Sequence, residues 1–149
     1  MSLGELISVR WVEAMSALGL SPDRIRLTWD IGPYPHFENP RGFGVTFHNG
    51  QPHCHVRMAE KSIRELETNP GRVDGVVRHE IGHVVDLCLP SDKVDAWAAG
   101  RGVILPYTPE RRADAIAEAI WLQPMFYDTQ LFVQTTEPGI RPRPPHLGF

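Results

Sequence analysis

The chain has 149 residues, a length that suits one domain with its own apolar core. Hydrophobic residues make up 42% and charged residues 22%, which is ordinary for a globular protein. The net charge of −3 and the pI near 6.1 give no electrostatic reason to expect nucleic acid or an anionic membrane as a partner, and no apolar run approaches the roughly 20 residues of a membrane span.

Glu5, Arg10 and Glu13 interrupt the apolar residues at the N-terminus. They break any signal-peptide core, so the expected location is cytoplasmic, with association to a virion as an alternative. Residues 3–19 are predicted as an amphipathic helix: Leu3, Ile7, Trp11, Ala14 and Leu18 recur at helical spacing and Gly19 is the stop. Residues 24–31 alternate apolar and polar, as a strand with Ile25, Leu27 and Trp29 on one face would. The Pro- and Gly-rich residues 32–42 read as a loop. Asn49-Gly50 is a hairpin signal between strands at 43–48 and 53–58.

His53-Cys54-His55 looks at first like a metal cluster. On a strand the two histidines face one side and Cys54 the other, so the three cannot share an ion. Cys54 and Cys88 are expected as free, buried thiols. A short helix is predicted over 59–68, closed by Asn69-Pro70-Gly71, and a longer one over 72–88, stopped by Pro90. A helix over 92–100 and a linker over 101–107 follow. Thr108 as N-cap and Pro109 in the first turn open a last helix that runs to about Leu122. Residues 1–134 are read as one domain and residues 135–149 as a Pro-rich, extended tail that could dock onto a protein partner.

The chemistry concentrates in His79-Glu80-Ile81-Gly82-His83. At 100° per residue the two histidines lie about 40° apart, one turn above the other, and both imidazoles can reach one ion. This is the HExxH spacing of zinc peptidases. Glu80 lies beside them, suited to a water at the metal rather than to the metal: zinc lowers that water's pKa to about 7, and the carboxylate takes its proton and passes it to the leaving amine. Behind them, Val73, Val77, Ile81, Val84 and Cys88 form an apolar stripe. Glycine costs a helix interior about 1 kcal/mol against alanine, so Gly82 implies close packing. Asp86 falls within about 20° of His79 and could orient a ligand. The competing reading is a surface helix with two solvated histidines.

A catalytic zinc needs a third protein ligand. The position six residues after His83 is Leu89, which excludes the class that takes its ligand there. The last helix instead carries Glu110, Asp114 and Glu118 on one face, and Ala113, Ala115, Ala117 and Ala119 keep it slim enough for close approach.

The run His79-Glu80-Ile81-Gly82-His83-Val84-Val85-Asp86, with Tyr107 and then Asp114 and Ala117-Glu118-Ala119-Ile120, resembles the gluzincin metallopeptidases, in particular the compact ones related to the catalytic domain of anthrax lethal factor. The resemblance covers about residues 42–127. It implies a zinc ion, Asp114 as third ligand where the family usually has glutamate, Glu118 as a supporting carboxylate, and Tyr107 as a hydroxyl donor to the oxyanion. In a second register, Glu110 to Ala117 resembles small phage and bacterial peptidases that cleave repressors. There Glu110 is the ligand and Asp114 the partner of a histidine. Asp114 is the favoured ligand, with Glu110 and Glu118 as alternatives.

The expected fold is therefore α+β: a small zincin-like domain with a short antiparallel or mixed sheet, an edge strand packed on the HExxH helix, and a later carboxylate-bearing helix. The expected function is peptide-bond hydrolysis with Glu80 as general base and an extended peptide or protein substrate along the edge strand. The alternative is a structural or interaction protein on the same scaffold, for example a phage particle component, with little or no proteolysis. His48, His53 and His55 are expected as surface histidines.

Overall fold

Ser2 starts the first helix by accepting the Glu5 N–H, and α1 covers Leu3–Ala17. It stops two residues before Gly19, which takes a positive φ of 71° while Leu20 N–H bonds back to the Met15 carbonyl. Leu3, Leu6, Ile7, Trp11, Ala14 and Met15 are buried. Arg10 reaches across to Asp74 with two hydrogen bonds of 2.7 and 3.1 Å. The computed structural model describes residues 1–32, 44–48 and 53–125, with the side chains of residues 44, 45, 47 and 48 excepted. The Asn49-Gly50 turn, nearly all of the 32–42 loop and the Pro-rich tail lie outside the described residues.

Three strands form one sheet in the order β1-β3-β2: β1 is Arg26–Gly32, β2 Gly44–His48 and β3 His53–Ala59. β2 and β3 pair antiparallel, with Thr46 opposite Val56. β1 pairs with β3 in parallel, Leu27 opposite Cys54 and Thr28 opposite His55. The sheet is thus mixed, and the wholly antiparallel form is corrected: the hairpin partner β2 occupies one edge of β3, and β1 takes the other in the same direction as β3. Short-range turn signals specify only the hairpin.

Cys54, Val56 and Met58 turn inward and are buried. Leu27, Trp29 and Ile31 share their side of the sheet by register. Trp29 and Ile31 keep about a third of their surface, as edge-strand residues do (36% and 37%). The other face is polar. Thr28 Oγ1 lies 2.8 Å from His55 Nδ1 and 3.2 Å from His53 Nε2, and Asp30 accepts two bonds of 2.9 Å from Arg57. One face packed and one wet is the common arrangement for strands in a hairpin.

Helix α2 covers Lys61–Thr68 and α3 Pro70–Cys88. Asn69-Pro70-Gly71 therefore opens α3 as well as closing α2. The Asn69 side chain accepts the Arg72 N–H, and Pro70 occupies the first turn, where its missing N–H costs nothing. The predicted rear stripe of α3, Val73, Val77, Ile81, Val84 and Cys88, is buried throughout. Helix α4 follows at Ser91–Gly100 and α5 at Pro109–Trp121. Thr108 has the extended backbone of an N-cap, but its hydroxyl makes no capping bond, so Pro109 alone marks that start. At the other end the Arg101 guanidinium donates to the carbonyls of Ala119 and Ile120. Among the described residues no helix is long and apolar enough to cross a membrane.

The sheet packs on α3, and α5 covers the neighbouring side of α3. The closest approach is at Gly82. A Cβ there would meet the Ala113 carbonyl oxygen and lie 2.8 Å from the carbonyl carbon and 3.0 Å from the Cα of Ala113. Backbone cannot swing aside as a side chain can. We expect Gly82→Ala to destabilise the protein by about 1–3 kcal/mol, although alanine favours a helix by about 1 kcal/mol. A lower urea midpoint at unchanged slope is the measurement that checks it.

Candidate metal centre

His79 and His83 project from successive turns of α3, their ring centroids 4.6 Å apart and their planes at 90°. Glu110, in the first turn of α5, reaches over both. Its Oε2 lies 2.9 Å from His79 Nε2 and its Oε1 3.2 Å from His83 Nε2. The three residues offer ligand atoms that all lie within 4.8 Å of one another. Ligands around one tetrahedral ion with bonds of 2.0–2.1 Å stand about 3.3 Å apart. Two imidazole nitrogens and one carboxylate at this spacing suit zinc, and three protein ligands leave a fourth position open.

Asp114 occupies a different place. One turn further along α5, it is 3% exposed, and its Oδ1 lies 2.8 Å from His79 Nδ1. It touches the ring on the side away from Glu110. A carboxylate on Nδ1 orients the imidazole and leaves Nε2 to face a ligand.

The electrostatics follow from this geometry. Burial, the largest single influence on His79, pushes its pKa down. The hydrogen bonds to Asp114 and Glu110 and the charges of Glu80 and Asp114 outweigh it and hold the ring at about 10. Hydrogen bonds to His79 and His83 in turn keep the Glu110 carboxyl well below the usual carboxylate range. The two carboxylates thus favour the protonated ring, and a cation binding at Nε2 would compete with a proton there.

Glu80 is buried, and its Oε2 accepts a bond of 2.5 Å from Thr46 Oγ1 on the edge strand β2. The same hydroxyl lies 3.4 Å from the Glu80 backbone carbonyl.

No protein-family profile matches the chain, and neither a curated protein nor a solved structure gives a significant match.

The remaining expected residues are dispersed. Asp86 accepts from Arg112 Nε at 3.0 Å rather than from a histidine. Arg112 also donates to Asp95 at 2.9 Å and to the Pro106 carbonyl at 3.3 Å, tying α5 to α3, α4 and the segment before α5. Glu118 accepts the Met125 N–H at 3.3 Å and stands outside the cluster. Tyr107 is about half exposed (48%), three residues ahead of Glu110. His53 and His55 lie on the sheet face opposite Cys54, away from α3. The side chain of His48 lies outside the described residues. Sequence reasoning missed Thr46 and Arg112. Thr46 had one available signal, a hydroxyl at an inward strand position, and Arg112 had none, because its two aspartates come from separate helices.

Glu118 supplies a test of these placements. Burial first, and the charge of Asp114 next, raise its pKa, against the lowering effect of the Met125 N–H. Its folded-state pKa exceeds its unfolded one, so the stability it confers is present at low pH and lost as pH rises through the folded value. Glu118→Gln is expected to stabilise the protein at pH 7 by up to about 1 kcal/mol, discounted for partial exposure, with little effect at pH 4. Thermal melts at the two pH values check this.

Proposed function

We propose that this chain is a zinc-dependent metallopeptidase in which His79, His83 and Glu110 hold the ion and Asp114 fixes the His79 ring. This exchanges the favoured ligand, Asp114, for Glu110. One observation carries the reading: both histidines of the HExxH helix turn Nε2 toward a single carboxylate from a later helix. The buried general-base candidate beside them supports it, because a purely structural ion has no use for Glu80.

A bound zinc ion would lower the pKa of a water molecule and polarise a peptide carbonyl. Glu80 would accept the proton of the attacking water and deliver it to the leaving amine. Thr46 holds one oxygen of that carboxylate and leaves the other for the water. Asp114 keeps the His79 ring in register with its Nε2 lone pair forward. Tyr107 is the proposed donor to the oxyanion of the tetrahedral intermediate. A peptide added antiparallel to β2, the strand at the edge of the sheet beside Glu80, would gain main-chain hydrogen bonds with little sequence preference.

Elemental analysis of the chain loaded at neutral pH is expected to find about one zinc in the wild type and almost none in Glu110→Ala. Asp114→Asn should bind zinc about 10–100-fold more weakly, and Glu118→Gln should bind it normally. A wild type that takes up no zinc would sink the proposal. Glu80→Gln should keep its zinc and lose about 10²–10⁴-fold in peptide hydrolysis.

Thr46→Val is expected to lower kcat about 10–100-fold with zinc content and KM nearly unchanged, and Thr46→Ser to restore most of it. A change confined to KM would show that Thr46 does not position Glu80.

A further inference from the structure

The molecule holds a second pair of reactive side chains that the metal centre does not use. Cys54, on the inward face of β3, and Cys88, the last residue of α3, point at each other with their sulfurs 3.0 Å apart. Both are free thiols and both are buried, at 0% and 4% exposure. They are 34 residues apart in the chain and belong to different layers of the fold. Cys88 lies nine residues after His79, about 180° round the helix, so the thiols face away from the metal cluster and cannot serve it.

We propose that Cys54 and Cys88 are a redox-closable pair that forms a disulfide under an oxidising poise, stapling strand β3 to the last turn of α3. A disulfide holds its sulfurs about 2.05 Å apart, so closure asks for roughly 1 Å of approach between side chains already aligned. Either thiol of the pair can donate to the other. That hydrogen bond first, and burial next, raise the Cys54 pKa, while the same bond lowers that of Cys88. Cys88 lies at a helix end, where local opening is easiest.

The chemistry balances with a low-molecular-weight disulfide as oxidant. The Cys88 thiolate attacks one sulfur of that reagent, forms a mixed disulfide and releases one thiol. Cys54 gives up its proton and attacks the Cys88 sulfur, releasing the second thiol. Two electrons and two protons pass from the protein to the reagent. The resulting bridge joins β3, which pairs with the strand carrying Thr46, to the helix carrying Glu80. It ties the sheet to the helix that carries Glu80, and it does so whether or not the chain is a peptidase.

The test uses the full chain in glutathione buffers stepped from reduced to oxidised, quenched with an alkylating agent and read by denaturing mass spectrometry. The expected product is a monomer lighter by two hydrogens, with no alkylated cysteine and a peptide linking residues 54 and 88. Its Tm should rise by about 10 °C, and dithiothreitol should reverse the rise. Cys54→Val and Cys88→Ala should each abolish it. If either variant fails to fold, the reversible wild-type shift still decides the question. Persistence of both thiols at the oxidised poise, glutathione adducts that do not resolve, crosslinks between chains, or an intramolecular bridge without a Tm rise would each overturn the proposal.

Discussion

Helices α3 and α5 meet backbone against backbone where Gly82 lies over the carbonyl of Ala113. Gly82 stands one residue before His83; Ala113 stands one residue before Asp114 and one turn after Glu110. The contact therefore sets the distance between the imidazoles and the carboxylates that face them. A methyl group at position 82 would hold the helices apart and draw Glu110 and Asp114 away from His79. The helical penalty of glycine, about 1 kcal/mol, is small beside the cost of pushing one backbone through another.

Charge is paired on both sides of this contact. On one side buried Asp114 and exposed Glu110 face His79. On the other, Arg112 faces Asp86 of α3 and Asp95 of α4. Such pairs add little net stability because desolvation offsets most of the Coulomb gain. Removing one partner is costly, since it strands a charge in the interior. Their effect here is directional: they fix which face of α5 turns toward α3. Arg112 also binds the Pro106 carbonyl, so it anchors the chain that leads into Glu110.

The sheet divides its chemistry by the pleat. Alternation sends Cys54 inward to Cys88 and sends His53 and His55 outward to Thr28 and Asp30. Among the strand side chains described, Thr46 is a polar one on the inward side, and it bonds Glu80. The hydroxyl and the carboxyl oxygen satisfy each other, which is why a polar group is tolerated at that part-buried position.

Local patterning was legible because it depends on neighbours in the chain. The helical repeat of α3, the apolar stripe behind the histidines and the opposite facing of Cys54 and its flanking histidines follow from periodicities of 3.6 and 2, and the antiparallel pairing of β2 with β3 joins strands that are close in sequence. Gly82 could be read as a contact point because its local cost demanded a tertiary reason. What could not be read depended on distances between elements. Glu110, Asp114 and Glu118 share one helix face and carry the same chemistry, so periodicity cannot rank them; only the crossing of α5 over α3 places Glu110 on Nε2 and Asp114 on Nδ1. The parallel pairing of β1, the bond from Thr46 to Glu80 and the Arg112 cluster are likewise products of packing, because each joins residues whose separation in sequence carries no information about their separation in space.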